Sequence, residues 1–296
     1  MKVISFSIVR NECDIIESFV RYTLSYVDKM YITVAPSSDA TMEILALLAR
    51  EGAPLVLIPD EAAHHNQLVA MNMMMRRINE CENADLLLPP DADEFYIGQG
   101  NPRRHLEQLG QDALYAVWWK NFIPMDDDDR SIRFVPKRLR FARNDEHGRH
   151  YKLLIPSSVA RTPGVLIGMG SHTFLGGPEE LTPVPALRLA HIPIRSREQL
   201  IKKALVGVLA ETARLDRAPE ESWHWFNMVR EILSPGGIDV TKAALTYACS
   251  DPHIGIHPCT IDTSFCPRPY VRYQHLITED AAESFFEAAR QLIVPR

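Results

Sequence analysis

The residues best placed to do chemistry are Asp91, Asp93 and Glu94, which close the run Leu86-Leu87-Leu88-Pro89-Pro90-Asp91-Ala92-Asp93-Glu94-Phe95. Leu86 to Leu88 are too apolar for an exposed loop, and Pro89-Pro90 interrupts regular backbone hydrogen bonding, so the carboxylates belong just past the carboxyl end of a buried strand. That edge is where open α/β sheets bind ligands. Two carboxylates separated by a single residue can share a hard divalent cation, and the cation can in turn neutralise a diphosphate. A solvated acidic turn is the competing reading of so short a motif. What precedes the motif favours the metal.

The elements that must position these carboxylates alternate. Lys2 to Val9 is a β-branched, mostly apolar strand, followed by Arg10-Asn11-Glu12 and by Asp14, which with Glu17 fits a capping box. Ile15, Ile16, Phe19, Val20 and Leu24 recur at helical spacing. Tyr31 to Val34 and Pro54 to Ile58 are then strands, Thr41 to Arg50 and Gln67 to Cys81 helices, and Leu86 to Leu88 the fourth strand. Such alternation predicts an α/β fold with a mostly parallel sheet and right-handed crossovers. Met71, Met73, Met74 and Met75 are expected to fill the helix–sheet interface. No P-loop, dinucleotide fingerprint or nucleophile elbow is present, so a phosphate would be held by metal and side chains.

Four ordered segments, Val9-Arg10-Asn11-Glu12, Asp14 to Tyr22, Ser37-Ser38-Asp39-Ala40-Thr41 and Asp91-Ala92-Asp93-Glu94-Phe95, resemble family 2 glycosyltransferases of the GT-A fold, the branch with V-[KR]-N-E and D-A-D-E-F. Leu189 to Ser196 with Gln199 and Lys202 is similar to that branch's H-x-x-x-R-S-x-x-Q-x-x-x-K segment. The resemblance implies a Rossmann-like sheet, a nucleotide-sugar donor and Mn²⁺ or Mg²⁺. It implies that Val9, Arg10 and Glu12 touch base and ribose, that Asp91 reaches ribose and metal, and that Asp93 ligates the metal. Asp39 and Ala92, in the same matched segments, are carried as donor contacts, with a helix cap as the alternative for Asp39. The pattern is broken at Ala35-Pro36, where many relatives have a base-reading aspartate.

Other polar groups are candidates by position. His191 ends the apolar strand Ala186 to Ala190 and either completes the metal site, binds diphosphate or is structural. Arg195 and Lys202 follow at a spacing that can present two cations to phosphates. An inverting transferase needs a base near the acceptor hydroxyl. His172, after the short strand Val165 to Ile167 and flanking glycines, competes with Glu94, Asp126 to Asp129 and Asp145-Glu146 for that role. Lys152 can reach phosphate or acceptor, or is a surface strand lysine. In relatives the stretch beginning at Trp118 and Trp119 builds the acceptor side, where an aromatic can stack on a sugar.

At 296 residues and 46% hydrophobic the chain can bury a large core, and its net charge of −6 gives no signature of nucleic-acid binding. No signal peptide or span of about 20 apolar residues is read, and five scattered cysteines suit a reducing cytoplasm. His253, His257, Cys259 and Cys266 cluster without matching a common zinc finger. We expect a catalytic domain over 1–195 and a mainly helical region over 196–296, including a helix from Thr278 to Leu292, that shapes the acceptor pocket or a homodimer contact. Its apolar face with Lys202 and Lys203 could instead touch a membrane carrying lipid-linked acceptors. Two functions remain: a metal-dependent transferase moving a sugar, UDP-linked by preference, to a saccharide or lipid-linked acceptor, or a nucleotide-sugar-binding or nucleotidyltransferase-like protein. The latter should carry a Gly-rich basic loop after the first strand, which Arg10-Asn11-Glu12 is not.

Overall fold

Alternate residues of the first strand serve different cores. In a computed structural model of the chain, which describes residues 1–60, 67–144, 150–178, 180–212, 223–235, 237–249 and 253–277, β1 (Val3–Val9) turns Val3 and Val9 to one side and Ile4, Phe6 and Ile8 to the other. The two-residue period of a strand requires this. The chain continues through α1 (Ile16–Thr23), β2 (Lys29–Val34), α2 (Thr41–Arg50), β3 (Leu55–Pro59), α3 (Gln67–Cys81) and β4 (Leu86–Leu88). The side of Val3 is covered by α1 and α2, the side of Ile4 by α3, so the sheet lies between two helical layers.

The second half is less regular: β5 (Glu94–Gly98), α4 (Arg103–Leu106), β6 (Leu114–Asn121), α5 (Val135–Arg138), β7 (Phe141–Arg143), β8 (Tyr151–Pro156), α6 (Ser157–Ala160), β9 (Leu166–Ile167), β10 (Phe174–Leu175), β11 (Leu181–Pro183) and β12 (Leu187–His191). Then come α7 (Arg197–Thr212), α8 (Trp223–Ile232), α9 (Val240–Thr246) and β13 (Ile256–Pro258). The main sheet runs β3-β2-β1-β4-β8-β6-β12-β5, with β11 beside β6. The first four strands are parallel, β8 is antiparallel to both neighbours, and β12 is parallel to β6 and antiparallel to β5. The result is a mixed α/β fold with a curled, mostly parallel sheet flanked by helices. No described helix is long and apolar enough to cross a membrane.

Three local expectations change. The capping box does not form: α1 starts at Ile16 without a side-chain cap, because Asp14 bonds Arg195 and Glu17 accepts the backbone N–H groups of Arg272 and Tyr273 at 2.8 Å each. Tertiary partners override the local motif. Met71, Met74 and Met75 are buried as expected, but Met73 is 64% exposed, since a helix cannot turn four near-consecutive side chains to one sheet. The final helix expected from Thr278 lies outside the described residues.

Candidate functional site

Strand register assembles the site. β5 and β12 pair so that His191 faces Glu94, and β12 and β6 so that His191 is level with Asn121 and Leu189 with Trp119. Glu94 is fully buried; its Oε1 accepts the Trp119 indole N–H at 2.7 Å and its Oε2 accepts the Asp91 backbone N–H at 2.8 Å. The Lys152 ammonium, also fully buried, lies 3.2 Å from Glu94 and 2.6 Å from Asp91. Burial pushes the Glu94 carboxyl up to about 8 against the pull of Lys152. Lys152 is therefore no surface lysine: burial works against its charge, and Asp91 and Glu94 restore it. Of this cluster's three charged groups Asp91 alone reaches solvent, its side chain 38% exposed.

Asp93 is handled differently. Burial alone would raise its pKa, but Lys203, His191 and Arg195 outweigh that and hold it down at about 2. The Lys203 ammonium stands 3.3 Å from Oδ2. His191 stacks on Trp119 with ring centroids 3.8 Å apart and has Nδ1 2.5 Å from Asn121 Oδ1. An amide oxygen only accepts, which places the imidazole proton on Nδ1 and leaves Nε2 as a lone-pair donor. Burial lowers the His191 pKa to about 3, so the ring is neutral. In donor chemistry, ionised Asp93 and neutral His191 suit the divalent ion that the resemblance implies, and they are the two residues that would hold it. Asp91 is instead turned to Lys152, and among the described residues no three His, Cys, Asp or Glu side chains converge into a cation cage.

Behind Asp93 lies a saturated network. Arg195, 3% exposed, donates from Nε and Nη2 to Asp14 at 2.7 and 2.9 Å, from Nη2 to Glu12 at 2.5 Å and from Nη1 to the Ile192 carbonyl at 3.3 Å. Nη1 stands 4.0 Å from Asp93. Burial still pushes the Glu12 carboxyl up to about 7. Lys202 is buried against Asp39 at 2.7 Å, and Asp39 accepts the Thr41 N–H at 3.0 Å and the Cys13 N–H at 3.3 Å. Asn11, in the left-handed region at φ 55°, closes the first loop onto the second by accepting the Ser38 N–H at 2.7 Å. Val9 is buried and its carbonyl accepts the Ala35 N–H. Ala92 is buried as well.

In front of that network is an open cleft of about 160 Å³ lined by Arg10, Asn11, Glu12, Gln199, Lys202 and Lys203. Arg10 is half-buried, its Nε is buried without a hydrogen-bond partner, and burial lowers its pKa. Among the described residues its guanidinium makes no hydrogen bond and no ion pair. Lys203 joins this cleft to Asp93. On the far side of Trp119, with rings 5.4 Å apart, His172 directs Nδ1 at the Tyr151 carbonyl, which leaves Nε2 as an acceptor, and burial lowers its pKa. Gly170, at φ 65°, is needed here: a Cβ would stand 2.7 Å from His172 Nε2. The glycine admits the protein's own imidazole.

The structure thus gathers Asp91, Asp93, Glu94, Lys152, His172 and His191 around Trp119, and Arg10, Glu12, Asp39, Arg195 and Lys202 around the first loop. Asp126, Asp127 and Asp129 are exposed, and Asp128 accepts the Met125 N–H at 2.8 Å within its own turn. Asp145 and Glu146 lie outside the described residues. Sequence reasoning missed Lys203 as a site residue, although a helix that turns Lys202 toward Asp39 must turn its neighbour elsewhere. It missed Asn121 as well, for which no sequence signal exists beyond its place at a strand end.

No protein-family model matches the chain, and no curated protein matches it in sequence. Among solved structures, S. aureus TarS 1–349 in complex with UDP is similar over 78% of this chain and 70% of that one, at 10% identity and a TM-score of 0.44. Against the longer S. aureus TarS structure the figures are 78%, 42%, 10% and 0.41, so the present chain spans less than half of that protein. Glucosyl-3-phosphoglycerate synthase from Mycobacterium tuberculosis, in complex with Mn²⁺, UDP and phosphoglyceric acid, is similar over 40% of this chain and 43% of that one, at 16% identity and a TM-score of 0.29. The inositol-1-phosphate CTP transferase of T. maritima matches over 66% and 90%, at 9% and 0.34. At such identities and scores no substrate is carried over to this chain.

Proposed function

We propose that the chain is a glycosyltransferase that moves a sugar from a nucleotide diphosphate donor, UDP-linked by preference, to a saccharide or lipid-linked acceptor with inversion. The observation that carries this reading is the Arg10 guanidinium, without a partner among the described residues, which shares a cleft with Lys203 at the carboxyl edge of β1, while Lys203 reaches Asp93. A desolvated cation without a partner is costly unless an anion arrives to pair with it. Arg10 and Lys203 take the diphosphate, and Val9 and Glu12 border base and ribose. Asp93 and His191 would hold Mn²⁺ or Mg²⁺, which would neutralise charge growing on the departing diphosphate. Asp91, the exposed carboxylate of the Lys152 pair, faces the donor.

His172 Nε2 accepts the proton of the acceptor hydroxyl as its oxygen bonds to the anomeric carbon, and the bonding pair of the broken C–O bond leaves on the diphosphate. A neutral imidazole suits this role. Glu94 has both oxygens engaged, which suits a residue that positions Trp119 and Lys152 and favours His172 over it as the base. Arg195 and Lys202, saturated by carboxylates, hold the two loops that frame the cleft.

Calorimetry with UDP tests this. UDP should bind, and more tightly with Mn²⁺ or Mg²⁺; absence of nucleoside diphosphate binding under every metal condition overturns the reading. Nucleotide-sugar turnover should release UDP, whereas release of pyrophosphate from a nucleoside triphosphate would make the protein a nucleotidyltransferase.

A further inference from the structure

The first turns of α7 have a second concavity on their other side. Gln199 and Lys202 line both the Arg10 cleft and a small pocket of about 40 Å³, which adjoins another of about 60 Å³; Arg133, Arg138, Ser196 and Glu198 line both of these small pockets. Arg138, the last residue of α5, is half-buried, and burial lowers its pKa. Among the described residues its guanidinium makes no hydrogen bond and no ion pair.

Every charged group that acts strongly on Arg138 is engaged elsewhere or is a cation. Asp14 is bound by Arg195 at 2.7 and 2.9 Å, and Asp128 accepts the Met125 N–H at 2.8 Å and lies 3.4 Å from Arg140. Arg133 and Arg195 add positive potential. Asp126 and Glu198 line the pocket and limit the negative charge it can accept, which disfavours a diphosphate. Each pocket exceeds the roughly 10–15 Å³ that a single water needs. A planar guanidinium with free donors matches one tetrahedral or planar oxyanion.

We propose that α5 and the start of α7 form a second anion pocket, separate from the nucleotide cleft, in which Arg138 and Ser196 bind a single phosphate group, free or as a monoester. The pocket stands on its own geometry and does not require the transferase reading.

Calorimetric titration of inorganic phosphate into the wild type, Arg138→Gln, Arg138→Lys and Arg10→Gln tests it, with melting temperatures as the folding control. Arg138→Gln should weaken one phosphate site by about tenfold or more, the loss expected for a charge-assisted contact. Arg138→Lys should lie between, and Arg10→Gln should leave that site intact. Wild-type phosphate affinity and stoichiometry in Arg138→Gln, or loss of the site in Arg10→Gln but not in Arg138→Gln, overturns the proposal. Should Arg138→Gln fail to fold, Arg138→Lys decides: weaker phosphate binding supports the pocket and wild-type binding overturns it. Competition by glycerol 1-phosphate for the Arg138 site assigns it a monoester, and failure to compete assigns it free phosphate.

Discussion

Arg10 and Arg195 stand on two sides of the same first loop and have opposite surroundings. Arg195 directs its donors to Asp14, Glu12 and the Ile192 carbonyl, whereas Arg10 keeps a buried Nε with no partner among the described residues. The contrast extends to whole regions. Behind the loop, cations and carboxylates are matched and sequestered: Arg195 with Asp14, Lys202 with Asp39. In front, Arg10 and Lys203 face an open cleft. Matched buried charges fix geometry, because removing one partner strands the other. Arg10 has no such partner among the described residues, and on the proposed reading it is the cation that an incoming anion pairs, whereas Lys203 already holds Asp93. Basic residues close together in sequence can therefore have unlike roles, and their hydrogen-bond inventory tells them apart.

Asp93 lies where the two regions meet, 3.3 Å from Lys203 on the open side and 4.0 Å from Arg195 on the closed one. Asp93→Asn should give the largest functional effect: transfer lost at any Mn²⁺ or Mg²⁺ concentration, with a folded protein by circular dichroism. Wild-type turnover in this variant would remove Asp93 from the chemistry. Arg195→Ala should then cost about 3 kcal/mol or more of stability, since it leaves Asp14 and Glu12 uncompensated. Denaturant unfolding measures this, and an unchanged midpoint would erase the distinction between the two arginines. Arg10→Ala should do the converse. Losing one charge-assisted contact, typically about 1.5–3 kcal/mol, weakens UDP binding roughly tenfold to a hundredfold. Its melting temperature should not fall, and a drop comparable with that of Arg195→Ala would show that Arg10 too is structural.

The first half of the fold was legible because each element is self-contained. The helices 41–50 and 67–81 and the strand 86–88 fall on the expected residues, as their apolar periods and punctuation suffice to mark them. The antiparallel insertion of β8 between β4 and β6 was not legible, because the pairing of distant strands leaves no local pattern. The site divides in the same way. Asp91 and Asp93 announce themselves by residue type and strand end. That Lys152 would be fully buried between two carboxylates depends on a partner 61 residues away. Asp14 shows the converse failure: a sound local cap motif yields to a buried arginine 181 residues distant.

The smallest effect expected concerns a saturated cluster remote from the cleft, which asks whether matched charges stabilise without touching function. Glu51, after α2, accepts from Arg21 at 3.1 Å and from the Tyr273 hydroxyl at 2.6 Å, and lies 3.3 Å from Arg272. It thereby ties the segment around Tyr273 to α1 and α2. Hydrogen bonding from Arg21 is the foremost cause that lowers the Glu51 pKa from its ordinary 4.5 to about 2. A depressed carboxyl pKa contributes stability that is complete above the unfolded value and is lost as pH falls through the folded one. Glu82, held at about 2 chiefly by hydrogen bonds from Lys2 and Lys29, titrates over the same window. The share of stability that these two carboxylates supply should therefore be complete above about 5 and decline between about 4.5 and 2, read as an acid limb of the melting temperature. Glu51→Gln should flatten part of that decline while leaving UDP affinity at pH 7 unchanged. An acid limb identical to the wild type would show that the Glu51 pairs add nothing to stability, and altered UDP affinity would couple this cluster to the cleft.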